Sequence, residues 1–247
     1  MARKFPVQLF GSLLGLILLL GVTARTQNTP SKPDDPEMNR VQGMITQLKK
    51  EAEQFAKAGG KPSDANHPNL KWAKTFWRYR TKHPGTPATM VATTEALTLL
   101  ISSGRIDEMH EKVDTLKLND PVWKQVINLV LWAATKTKDY SYLFSKAEAL
   151  SQSAVDPKIK ALARFNIAEA HWKKGDTEQA KAAFQAVVAQ YPETSYAEEA
   201  EGNLREIEFL NVGQPAPQFE RSTINGDPLS LAAFNGTVVV LKFWGTY

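Results

Sequence analysis

Between Ala161 and Pro192 the chain spells two amphipathic helices joined by a forced break. Leu162, Phe165, Ile167, Ala168 and Trp172 gather toward one side of the first. Gly175 and Asp176 interrupt it, and Thr177 is placed to cap the second. That second helix carries Ala180, Ala183, Phe184, Val187 and Val188 at i, i+3, i+4, i+7 and i+8. Tyr191 and Pro192 close it, because proline cannot continue a helix. The alanines let the two helices approach closely, and Phe184 fills the space between them. Such a hairpin cannot bury its apolar stripe alone, so it must stack on copies of itself.

The copies are legible. The turn at Gly175-Asp176 has counterparts at Lys138-Asp139 and Gly104-Arg105, at intervals of 37 and 34 residues. The helix-ending phrase Tyr191-Pro192-Glu193-Thr194 echoes His83-Pro84-Gly85-Thr86, 108 residues earlier. Hairpins are expected at about 87–118, 121–153 and 157–190, with a degenerate pair before them (38–58 and 69–82) and a closing helix at 194–210. The spacing of Ala180, Phe184 and Pro192 resembles the tetratricopeptide repeat, with Gly175 at the usual turn. Arg164 and His171 depart from it, standing where Trp and Tyr are typical. The resemblance implies a mainly α fold, a helical-hairpin solenoid over 37–210, and a protein or peptide partner held by the repeat.

No other chemistry competes in that region. Trp72, Phe76 and Tyr79 stand at i, i+4 and i+7 among Lys74, Arg78 and Arg80. Basic–aromatic mixing can serve a partner or a single strand, but the spacing is that of a core stripe. No nucleic-acid partner is expected. His67, His83, His110 and His171 do not pair at metal-ligand spacing, and no metal is expected. Glu198, Glu199, Glu201, Glu206 and Glu208 make an acidic, solvated face on the last helix, with Arg205 pairing Glu201 at i+4. No nucleophile–base pair or phosphate loop is present, and no cofactor is expected.

The N-terminus reads differently. Arg3 and Lys4 precede an apolar run from Val7 to Val22, followed by Val22-Thr23-Ala24. This is the pattern of an export signal over 1–24. The rival is an anchor retained through residues 5–22, although a span needs roughly 20 apolar residues. Either reading places the remainder outside the cytoplasm: periplasmic, extracytoplasmic or anchored to the inner membrane. Without residues 1–24 the formal charge of +4 falls to +2, weak grounds for an anionic partner. Residues 25–36, with three prolines, read as a flexible tether.

After Val212 the helical pattern ends. Residues 213–217 cannot be helix, 218–224 suit a short strand, and Asn225-Gly226 a tight turn. Residues 228–234 suit one helical turn. Thr237 to Trp244 is almost continuously apolar and β-branched, as in a strand covered on both faces, which needs neighbours. Val212 to Phe219, Asn225-Gly226, Leu229 to Leu231, Phe234 to Gly236 and Val238 to Tyr247 together resemble the start of a thioredoxin-like domain. The branch is that of exported thiol–disulfide oxidoreductases, grouped with redoxins and the alkyl hydroperoxide reductase/thiol-specific antioxidant superfamily. The resemblance covers residues 212–247 only. It implies that Phe243, Trp244, Gly245, Thr246 and Tyr247 flank a redox motif due immediately after Tyr247, which stands in place of the usual Trp. The complete form would exchange thiols and disulfides or reduce peroxides. This chain has no cysteine, so no catalytic residue is expected within it. A UGA codon for selenocysteine read as a stop is the expected cause; a frameshift, an incomplete gene model and a truncated, non-enzymatic scaffold of the cell envelope are the rivals.

Overall fold

The computed structural model describes residues 35–61, 64–210 and 213–242. The export signal or anchor over 1–24, the tether up to residue 34 and the motif-flanking Phe243 to Tyr247 lie outside the described residues. Among the described residues, no helix is long and apolar enough to cross a membrane. The chain divides into two compact units, Met1–Arg105 and Ile106–Tyr247.

The first unit holds α1 (Pro36–Lys57), α2 (Pro68–Lys82) and α3 (Pro87–Ser102). Each begins with a proline, whose missing N–H costs nothing at a helix start. Each is preceded by a side-chain acceptor: the Asp35 carboxylate takes the Glu37 and Met38 amides, His67 Nδ1 that of Asn69, and Thr86 Oγ1 that of Thr89. Pro36 therefore opens a helix rather than closing a tether. Trp72, Phe76 and Tyr79 are buried, so the basic–aromatic segment is a core stripe. Glu37 fastens α1 to α2: the Tyr79 hydroxyl donates to one carboxylate oxygen at 2.9 Å, and His83 Nδ1 lies 2.8 Å from the other.

The second unit opens with α4 (Ile106–Asp114), α5 (Trp123–Thr137) and α6 (Ser141–Ser153). It continues through α7 (Pro157–Lys174), α8 (Thr177–Gln190) and α9 (Ser195–Phe209). From α5 onward each helix packs on the next, and α7 also packs on α5 and on α9. Contacts between helices one and two places apart are the signature of stacked hairpins. Ala168, Ala180, Phe184, Val187, Ala200 and Ile207 form one core cluster, with Phe165 and Trp172 packed against it. The Phe184 ring meets those of Phe165 and Trp172 edge-on, at 5.6 and 6.1 Å.

The repeated sequence features have physical counterparts. Gly175 (φ 91°) and Lys138 (φ 63°) both turn the chain in the left-handed region between paired helices. Tyr191 and His83 end their helices, and Thr194 and Thr86 cap the next ones through their hydroxyls. Thr177 is the first residue of α8 rather than its cap; Asp176 precedes the helix and its side chain caps nothing.

Beyond Gly213, β1 (Glu220–Ser222) pairs antiparallel with β2 (Pro228–Ser230), Arg221 opposite Leu229. The turn between them holds Gly226 at φ 89°. One 3₁₀ turn, Leu231–Phe234, comes next. The strand expected from Thr237 is not formed over the described residues 237–242. Val238 and Val240 are 96% and 84% exposed. A strand exists by pairing, and among the described residues nothing pairs with this one.

Candidate functional site

Helix α5 buries Trp123, Val126, Ile127, Val130, Ala133 and Ala134. Lys124, Asn128 and Trp132, four residues apart, lie one above another on its remaining face. Trp132 is 41% exposed, the one tryptophan among the exposed large apolar side chains of the described residues. Burying an exposed indole is a large source of binding free energy, and Trp is enriched among residues that dominate protein interfaces.

The polar groups beside it are fixed across helix seams. Asn166 of α7 is 1% exposed. Its amide nitrogen donates to Asn128 Oδ1 at 3.0 Å and to the Leu162 carbonyl at 3.0 Å. Its own Oδ1 is buried with no hydrogen-bond partner. At the start of the same seam, Lys124 Nζ lies 2.9 Å from the carboxylate of Asp156, which caps α7 by accepting the Lys158 amide. The lysine, foremost, holds the Asp156 carboxyl below the usual carboxylate range.

The next seam, between α7 and α9, repeats the arrangement one hairpin on. Asn203 of α9 donates to Glu169 Oε1 at 3.0 Å, and the other oxygen of Glu169 lies 3.2 Å from Lys173 Nζ. Burial, then the charges of Glu169 and Glu198, push the Glu199 carboxyl up. Asn166 and Glu169 are three apart on α7, so the two seams join into one stripe over α5, α7 and α9. The stripe carries one exposed indole, pinned carboxamides and a pair of acids. It lacks a nucleophile with its base, and among the described residues no group of three or more His, Asp or Glu can hold a metal ion.

The residues singled out in the sequence are scattered by comparison. His67 caps α2, His83 sits on Glu37, His110 stacks on Tyr142 at 3.6 Å, and the His171 ring lies 4.8 Å from that of Phe144. Glu208 reaches across to Lys181 of α8 at 2.7 Å. Arg205 donates to the Glu201 backbone carbonyl at 3.3 Å, not to its carboxylate as the spacing suggested. Phe243 to Tyr247 lie outside the described residues. Trp132, Asn128, Asn166 and Asn203 stand in no sequence motif. Their signal is the spacing of the asparagines, 38 residues and then 37, close to the interval between turns.

Residues 162–194 match the sequence model of the tetratricopeptide repeat. No curated protein and no solved structure matches the chain.

Proposed function

We propose that this chain is a protein-interaction scaffold that binds its partner on the stripe formed by α5, α7 and α9. The observation that carries it is Trp132, 41% exposed on a helix that buries Trp123, Val126, Ile127, Val130 and Leu131, beside carboxamides held in place across two helix seams. The tetratricopeptide match over residues 162–194 supports the same reading, since stacked helical repeats present extended binding surfaces. The export-signal pattern of residues 1–24 supports a place outside the cytoplasm, as a soluble or membrane-tethered scaffold of the cell envelope. The test is quantitative capture from a cell extract by the full chain and by Trp132→Ala. The scaffold reading expects a defined set of proteins that the substitution reduces at least tenfold while the circular dichroism spectrum is unchanged. Equal capture by both forms would overturn it.

A second reading is favoured by the C-terminal segment. The hairpin of β1 and β2 and the exposed run Val238 to Leu241 suit the opening of a thioredoxin-like sheet, which would cover that run. In that reading the repeat selects partners for a thiol–disulfide oxidoreductase module. Insulin reduction by a form extended through the expected redox motif tests it; an extended form without dithiol-dependent activity would overturn it.

A further inference from the structure

The segment beyond the repeat holds the chain's two Asn-Gly dipeptides, Asn225-Gly226 and Asn235-Gly236. In such a pair the backbone nitrogen of the glycine can attack the asparagine side chain, since no Cβ crowds that nitrogen. The two pairs are closely matched. All four residues are exposed. Gly226 and Gly236 share a left-handed backbone, φ 89° and 83°. Among the described residues, no atom beyond the adjoining residues lies within 4 Å of where a Cβ would stand at either glycine.

They differ at the attacking nitrogen. The Gly226 N–H donates to the Thr223 carbonyl at 3.0 Å. The same turn is tied three times more. The Thr223 amide donates to the Asp227 carbonyl at 2.8 Å, and the Thr223 hydroxyl accepts the Asn225 and Asp227 amides at 3.3 and 3.1 Å. In the second turn the Asn235 amide donates to the Ala232 carbonyl at 3.3 Å, and the Thr237 amide to the Phe234 carbonyl at 3.0 Å. Those bonds close the chain on either side of Gly236. Among the described residues the Gly236 N–H itself has no hydrogen-bond partner.

We propose that Asn235 is a site of spontaneous deamidation in the folded chain, and that its turn protects Asn225. The Gly236 nitrogen gives up its proton and forms a bond to the Asn235 side-chain carbonyl carbon. The bond from that carbon to the amide nitrogen breaks, and ammonia leaves with the proton. Water then opens the cyclic imide at either carbonyl, giving aspartate or isoaspartate. Water is consumed, ammonia is released, and nothing is oxidised or reduced. The product carries a new negative charge three residues before the exposed Val238. Its isoaspartate form also lengthens the backbone by a carbon at the entrance to the Val238 to Leu241 run. None of this depends on what the repeat binds.

The experiment holds the full chain at mildly alkaline pH, folded in buffer or unfolded in concentrated urea. Fragment-ion mass spectrometry of the tryptic peptide 222–242, which contains both asparagines, follows each site separately. In the folded chain Asn235 should convert at least about fivefold faster than Asn225, the factor that breaking one hydrogen bond amounts to. In urea, where both turns are lost, the two rates should converge. Gly236→Ala should slow conversion at 235 and leave 225 unchanged. Equal rates in the folded chain, or no conversion of folded Asn235 on the timescale of the unfolded chain, would overturn the proposal. So would a difference that persists in urea, which would trace it to local sequence rather than to the turn.

Discussion

The amide nitrogen of Asn166 on α7 donates to the amide oxygen of Asn128 on α5 across 3.0 Å, joining two helices 38 residues apart in sequence. That nitrogen serves two acceptors, Asn128 Oδ1 and the Leu162 carbonyl. Asn166→Asp would face them with an acceptor carrying a buried charge. The expected cost is about 3 kcal/mol, since an uncompensated buried charge is among the most destabilising changes known. The loss should shrink on acidification, as the new carboxyl protonates. Asn128→Ala should cost less, roughly 0.5–1 kcal/mol, because Asn166 keeps its bond to Leu162. Urea unfolding at neutral and acid pH measures both.

Lys138 holds a left-handed backbone, φ 63°, where the equivalent turn before α8 has Gly175. A side chain with a Cβ is strained there, and glycine is not. Lys138→Gly should therefore stabilise the chain by about 0.5–1 kcal/mol, less the entropy glycine adds to the unfolded state. A fall in the midpoint of thermal unfolding would show that the lysine makes a contact worth more than the strain.

Two carboxylates give opposite pH dependences. Glu95 of α3 is pushed up by burial, which Lys49 only partly offsets. Its charged form resists folding above its folded-state pKa. That penalty fades as pH falls through the folded-state value and is gone below the unfolded value of about 4.3. Glu95→Gln should raise the unfolding midpoint at pH 7, with the gain closing toward about pH 4. Asp156 is held down, by Lys124 first, and its stabilisation is present above the unfolded value and lost as pH falls through the folded one. Asp156→Ala should cost about 1 kcal/mol at pH 7 through the lost cap, and progressively less in acid. Thermal unfolding of both variants from pH 3 to 7 tracks the two signs.

The helices were readable because their signals are local. Gly175, Pro192 and the Ala180–Phe184 spacing each act within a turn or two, and the structure places the α7–α8 hairpin where they point. The α5–α7–α9 stripe was not readable in the same way. Trp132 sits in an apolar stretch, LVLWAA, in which nothing local tells the exposed position from the buried ones. Its exposure is set by which side of α5 meets α7, a contact between residues nearly 40 apart. The stacking of His110 on Tyr142, 32 residues away, was hidden for the same reason. Thr237 to Leu241 failed in the opposite direction: its β pattern is strong, but a strand needs a partner that no local pattern supplies.

Binding of a protein partner on the α5–α7–α9 stripe is tested most directly by site-specific photo-crosslinking. The probe, p-benzoylphenylalanine, is placed at position 128 on the stripe or at position 185, where exposed Gln185 stands on α8. A discrete protein adduct is expected from position 128, absent from position 185 and lost when Trp132→Ala is added. Equal adducts from both positions, or an adduct at 128 that survives Trp132→Ala, would contradict it.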